Sequence, residues 1–223
     1  MKLVIGNKNY SSWSLRPWLL LKHFQIPFEE VRVPLFTPGY KEKLLSYSEA
    51  GQVPVMLDEK VTVWESLAIC EYVSEKYLNG AGWPADEIPR AQARACSAGM
   101  HAGFSRIRNL MPMNARAEGR QVEISAELES EIQRLEKMWG LLRSARGKNG
   151  PWLFGEFSIA DCMFAPMSFR FNTYGVELAG NAKKYCDHLL NDPDMQEWLA
   201  SAKSESEIVD FAEVGRQDYA DES

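Results

Sequence analysis

Short apolar runs separated by charged and turn residues fill the first eighty positions, and longer stretches with helical spacing fill the rest. Residues 2–6 are an apolar run stopped by Gly6-Asn7, and residues 28–33 alternate with charge, so both patterns predict strands. Between them Leu15, Trp18, Leu19 and Lys22 fall at helical spacing, which predicts a helix over 14–25 ending before Ile26-Pro27. Two parallel strands joined by a helix make a β-α-β unit with a right-handed crossover. A loop with Pro34 and Pro38-Gly39 leads to a helix predicted over 40–47. Residues 54–57 and 61–63 bracket Asp58-Glu59-Lys60 as a hairpin, and a further helix is expected over 65–77.

Asn79-Gly80-Ala81-Gly82-Trp83-Pro84 has the Gly and Pro density of a linker. After it, helices are expected over 90–110, 125–145, 158–171 and 192–202, with breaks at 111–112, 147–151 and Gly175. The division is therefore a small α/β domain over 1–79, a linker over 80–89 and an all-helical domain over 90–223. The polar segment 213–223 is expected to fray.

Composition narrows the function classes. The chain has 223 residues, 45% of them hydrophobic, enough to bury a core and to exclude wholesale disorder. Its 25 Lys plus Arg against 31 Asp plus Glu offer no general cationic surface, so nucleic acid is not an expected partner. The apolar run 17–21 stops at Lys22-His23, so no membrane span is expected, and the first six residues are too short for a secretory signal. Cys70, Cys96, Cys162 and Cys186 lie far apart without a C-x-x-C pair, which speaks for reduced thiols in the cytoplasm and against a metal site.

Three segments carry candidate chemistry. Ser11, Ser12 and Ser14 precede or open the first helix, where unpaired N–H groups favour an anion; an ordinary N-cap needs only one of them. Pro54 begins a strand after Val53; a cis bond there would leave the backbone of Val53 facing outward for an extended peptide. Glu65-Ser66 puts a carboxylate suited to an ammonium group and a hydroxyl suited to a carboxylate at a helix start. Each segment alone also has a purely structural explanation. Ser158-Ile159-Ala160-Asp161 reads as a structural capping box.

In their order and spacing these motifs, with Arg16 and Glu71-Tyr72, resemble the cytosolic glutathione transferases, particularly the serine-type zeta and theta classes and their bacterial relatives. The resemblance spans essentially the whole chain. It implies an α/β thioredoxin-like N-terminal domain, consistent with the order β-α-β-α-β-β-α, an all-α C-terminal domain and a homodimer. It implies a detoxifying enzyme that takes glutathione as co-substrate, needs no metal, and attacks a small, partly apolar electrophile. Ser11 or Ser12 would donate a hydrogen bond to the glutathione sulfur; the zeta match favours Ser11, and counting back from Arg16 to the theta match favours Ser12. Val53, set by Pro54, would bond the cysteinyl backbone, Glu65 and Ser66 the γ-glutamyl end, and Lys41 or Lys43 the glycyl carboxylate. Met100, Phe104, Met111 and Met113, with Trp13 and His101, would form the second-substrate pocket. Arg16 is expected to anchor its helix by an ion pair. Zeta members carry cysteine where this chain has Trp13, which speaks against maleylacetoacetate isomerisation. Glutathione-dependent peroxidase or isomerase activity, or a non-catalytic glutathione-binding module, are the alternatives.

Overall fold

The computed structural model describes residues 1–146 and 149–216. Strands β1 (Lys2–Ile5), β2 (Glu29–Arg32), β3 (Val55–Asp58) and β4 (Val61–Trp64) form one mixed sheet in the order β2-β1-β3-β4. β1 pairs parallel with β2 and antiparallel with β3, and β3 pairs antiparallel with β4. Helix α1 (Ser12–His23) connects β1 to β2, α2 (Tyr40–Leu45) follows β2, and α3 (Ser66–Leu78) follows β4. This is the expected α/β order.

Strand alternation sorts the core. Leu3 and Ile5 enter the main core, while Val4 points the other way and joins Val33, Leu44 and Val55 in a smaller cluster beside α2. Leu15, Trp18, Leu19, Leu20 and Leu21 are all buried because α1 packs against helices of both halves of the chain. Each such leucine contributes about 1.5–3 kcal/mol of transfer free energy.

The second half is helical: α4 (Glu87–Ala102), α5 (Ser105–Leu110), α6 (Ala126–Arg146), α7 (Ile159–Thr173), α8 (Gly180–Asn191) and α9 (Pro193–Ser204), then a 3-10 turn at Asp210–Ala212. α7 is buried along nearly its whole length and packs against α1 and α4, so one apolar core runs through both halves. The reciprocal Ser158–Asp161 capping box is present at its N-terminus.

Three expectations change. The helix predicted over 90–110 breaks at Gly103-Phe104: Phe104 takes a left-handed φ of 56°, and a Cβ on Gly103 would lie 2.7 Å from the Gly99 carbonyl. The helix α8 falls between the helices expected over 158–171 and 192–202, where no separate helix is predicted. The frayed end does not begin at Glu213, whose carboxylate accepts from Tyr10 Oη at 2.6 Å, Asn114 Nδ2 at 2.9 Å and Arg120 Nη2. Residues 217–223 of that predicted tail, and Gly147-Lys148 of the predicted break, lie outside the described residues. Among the described residues no helix is long and apolar enough to cross a membrane.

Candidate active site

From the end of β1 the chain folds through a tight turn into α1, with the Tyr10 and Ser11 N–H groups donating to the Asn7 carbonyl at 3.2 and 2.8 Å. The second half of the chain holds this turn from outside. Asn9 Nδ2 donates to Asn114 Oδ1 at 2.8 Å, the Arg116 N–H donates to Asn9 Oδ1 at 2.8 Å, and the Lys8 and Asn9 N–H groups donate to Glu205 at 2.7 and 3.0 Å. A turn with this many fixed donors presents its hydroxyls in one geometry.

Ser11 is the N-cap of α1, and its Oγ accepts from the Ser14 N–H at 3.4 Å. It also shares a 2.7 Å hydrogen bond with Ser14 Oγ, which itself accepts from the Gly6 N–H at 3.1 Å. Ser12 Oγ accepts from Arg170 Nη2 at 3.2 Å. Arg170 is 4% exposed on α7, donates through Nη1 to the carbonyls of Arg108 at 3.2 Å and Met111 at 2.5 Å, and has an Nε without a partner among the described residues. Burial, with neighbouring Arg108, lowers its guanidinium pKa to about 10, which leaves it charged at neutral pH.

Ser11 and Ser12 face a cavity of about 440 Å³. Trp13, Leu35, Phe36, Tyr40, Gln52 and Val53 line it from the first half of the chain, and Arg108, Pro112, Met113, Arg170, Phe211 and Ala212 from the second. Two cationic side chains and several apolar ones therefore stand opposite two hydroxyls. A cavity of about 470 Å³ between α7 and α8 carries the Cys186 thiol, which burial pushes up to about 12, so it offers no nucleophile at neutral pH.

The remaining predicted residues divide by position. The Val53–Pro54 peptide is cis, and the backbone groups of Val53 have no backbone partner among the described residues. Pro54 is buried behind it. Glu65 takes φ 73° at the N-cap of α3, a conformation costing a non-glycine residue on the order of 1–3 kcal/mol. Gln52 Nε2 donates to Glu65 Oε1 at 2.7 Å, and His101 Nε2 lies 3.5 Å from Glu65 Oε2. Burial, then Arg16, lowers the His101 pKa. Ser66 is buried at the first turn of α3 and accepts from Arg16 Nη1 at 3.4 Å. Lys41 is exposed on α2.

Met113 and Trp13 reach the cavity wall, whereas Met100, Phe104 and Met111 are buried in the core and His101 sits behind Trp13, ring centroids 5.1 Å apart. The expected ion pair of Arg16 is overturned. Among the described residues it has no carboxylate partner, and its guanidinium carbon lies over Trp13, 4.1 Å from the ring centroid. Burial, then Arg170 and Arg108, lowers its pKa to about 9. Sequence reasoning missed Arg108, Arg170, Phe36 and Phe211. A detectable signal existed for Arg170: a single charge inside the apolar run 163–171.

Comparison with known proteins gives the family. Residues 10–76 match the family described as Glutathione S-transferase, N-terminal domain, and residues 117–201 match Glutathione S-transferase, C-terminal domain. A probable maleylacetoacetate isomerase of Caenorhabditis elegans is 28% identical over 171 residues, 75% of this chain and 77% of that protein. A Burkholderia glutathione transferase homolog solved with bound glutathione superposes with a TM-score of 0.66 at 24% identity, covering 92% of this chain and 98% of that one. A bacterial zeta-class maleyl pyruvate isomerase superposes at 0.69 with 21% identity, covering 93% and 100%. With the α/β sheet, the helical second half and both family matches in sequence order, the chain belongs to the glutathione S-transferase family and is an enzyme.

Proposed function

We propose that this protein binds glutathione along Val53 and the Glu65-Ser66 helix start, with the sulfur at the Ser11-Ser12 turn, and adds the thiolate to an electrophile held by the second half of the chain. The carrying observation is the single cavity onto which Ser11, Ser12, Val53 and Arg170 all open. A hydroxyl donating to a sulfur stabilises the thiolate over the thiol and lowers a pKa that is ordinarily about 8.5. The remaining work is positioning, which brings thiolate and electrophile together in one site. Glu65, held by Gln52, would receive the glutathione ammonium group.

Arg108 and Arg170 on the cavity wall favour an electrophile with an anionic group beside an apolar body. The same pair supports a second reading, glutathione-dependent isomerisation of an unsaturated carboxylate, as in the relatives named maleylacetoacetate isomerase. Against it stands Trp13, which fills the position after the serine pair. Homodimerisation and a cytoplasmic location remain part of the proposal on the strength of the family.

The test is turnover. Purified protein is given glutathione with two matched α,β-unsaturated electrophiles, one neutral and one carboxylated. The expected result is a rate that saturates in glutathione, a sulfur conjugate by mass spectrometry and a lower KM for the carboxylated compound. Recovery of a cis-to-trans isomer without a conjugate selects the second reading. Glutathione binding with neither product contradicts both.

A further inference from the structure

Taking glutathione activation at this turn as proposed above, we infer that Ser12, not Ser11, is the hydroxyl that donates to the sulfur, and that Arg170 is the positioning residue that aims and polarises it. The assignment rests on an account of donors and acceptors. A serine hydroxyl has one proton to give and two lone pairs to receive with. Ser12 Oγ receives from the Arg170 guanidinium, and its proton has no acceptor among the described residues. Its oxygen is anchored from α7, so the free proton points away from that anchor, and the residue opens on the cavity.

Ser11 is engaged differently. Its oxygen caps α1 and shares a short hydrogen bond with Ser14, a fully buried hydroxyl held in turn by the Gly6 N–H. Either hydroxyl can be the donor in that pair, and in both arrangements the Ser11 oxygen is tied to neutral neighbours along its own turn. A hydrogen bond from an ionised donor is roughly twice as strong as one between neutral groups, and it draws electron density from the hydroxyl oxygen, making Ser12 the stronger donor. Arg170 is itself fixed: two carbonyls at the end of α5 take Nη1, leaving Nη2 with Ser12 as its one partner among the described residues. The second half of the chain thus supplies both a wall of the cavity and the cation behind the activating hydroxyl.

In the step implied, the S–H bond of glutathione breaks, its electron pair stays on sulfur and its proton leaves to solvent. The Ser12 proton stays on oxygen and donates to the thiolate. No oxidation occurs. The titratable or charged groups facing this space are Tyr10 and Tyr40 from the first half and Arg108 and Arg170 from the second, with Arg16 behind Trp13. Both wall arginines favour the anion, but of the two only Arg170 contacts a hydroxyl of the turn.

The experiment is a pH titration of the thiolate absorbance of bound glutathione in the wild type, Ser11→Ala, Ser12→Ala, Arg170→Met, Arg170→Lys and the Ser12→Ala, Arg170→Met double variant, with a melting temperature for each. The expected result is a thiol titration raised by about one pH unit or more in Ser12→Ala and Arg170→Met, within the range for loss of a neighbouring favourable charge or donor. Arg170→Lys restores part of the shift, and Arg170→Met moves the titration less in the Ser12→Ala background than alone. Ser11→Ala lowers the melting temperature and leaves the titration near that of the wild type. A shift in Ser11→Ala but not Ser12→Ala overturns the assignment. Arg170 variants that melt earlier but titrate like the wild type reduce Arg170 to a structural role and overturn its part. Should Arg170→Met not fold, Arg170→Lys and Ser12→Ala decide alone. Absence of a thiolate band in the wild type contradicts activation itself, and is thereby distinct from a wrong choice of serine.

Discussion

Ser158 and the Ser11-Ser12 pair occupy equivalent local positions, each at the buried N-terminus of a helix, yet their hydrogen bonds end differently. At α7, both the Ser158 hydroxyl and its N–H donate to Asp161 Oδ2, at 3.1 and 2.8 Å. The Leu153 N–H and Tyr185 hydroxyl complete the shell, each 2.9 Å from Asp161 Oδ1. Every donor there has an acceptor inside the protein. At α1 the first turn carries no acidic residue, and Ser12, which opens on the cavity, has a proton without an acceptor among the described residues. Serine before a helix therefore says little by itself. What separates a cap from a candidate site is whether the set of donors and acceptors closes without a ligand.

The comparison can be broken most severely at the closed end. Asp161→Asn presents an amide to four donors that need an acceptor, and stability should fall by at least about 3 kcal/mol, measured by urea unfolding. Burial, opposed by these four donors, holds the Asp161 carboxyl at about 6. A change of less than about 1 kcal/mol would show that the network is not closed as described.

A second closed network sharpens the contrast through pH. Lys76 Nζ, Tyr77 Oη and Tyr72 Oη donate to Asp58 Oδ2 at 2.7, 2.5 and 2.8 Å and hold its pKa down at about 2. Its folded pKa is depressed, so its contribution is present above the ordinary carboxylate pKa near 4 and lost as pH falls toward 2. Asp58→Asn should melt below wild type at pH 7, with the gap closing between about pH 4 and pH 2. A gap that widens on acidification would reverse the assignment. Neither substitution touches the cavity wall, so both variants, where folded, should keep the Ser12 chemistry.

Much of the fold was legible because local signals and tertiary packing agreed. The strand alternation and the hairpin in the first eighty residues match the sheet, and the capping box at Ser158 marked the start of α7. The helix α8 was legible too, since Ala182, Tyr185, Cys186 and Leu189 repeat at helical spacing, but the polar residues between them masked it. The break at Phe104 was not, because an aromatic in a left-handed conformation follows from packing rather than from propensity. In the site, Ser11, Ser12 and Val53 were found from motifs at element boundaries. Arg108, Arg170 and Phe211 arrive from the other half of the chain, and no local pattern states that they will meet the turn. The expected Met100, Phe104 and Met111 walls took the opposite path: their apolar spacing signalled burial, and the core claimed them.

The most direct test of the account is a crystal structure of the protein with reduced glutathione. The sulfur is expected within hydrogen-bond reach of Ser12 Oγ, with Arg170 still donating to that oxygen and the peptide backbone paired to Val53. A sulfur bonded to Ser11 alone, or glutathione seated outside this cavity, would contradict it.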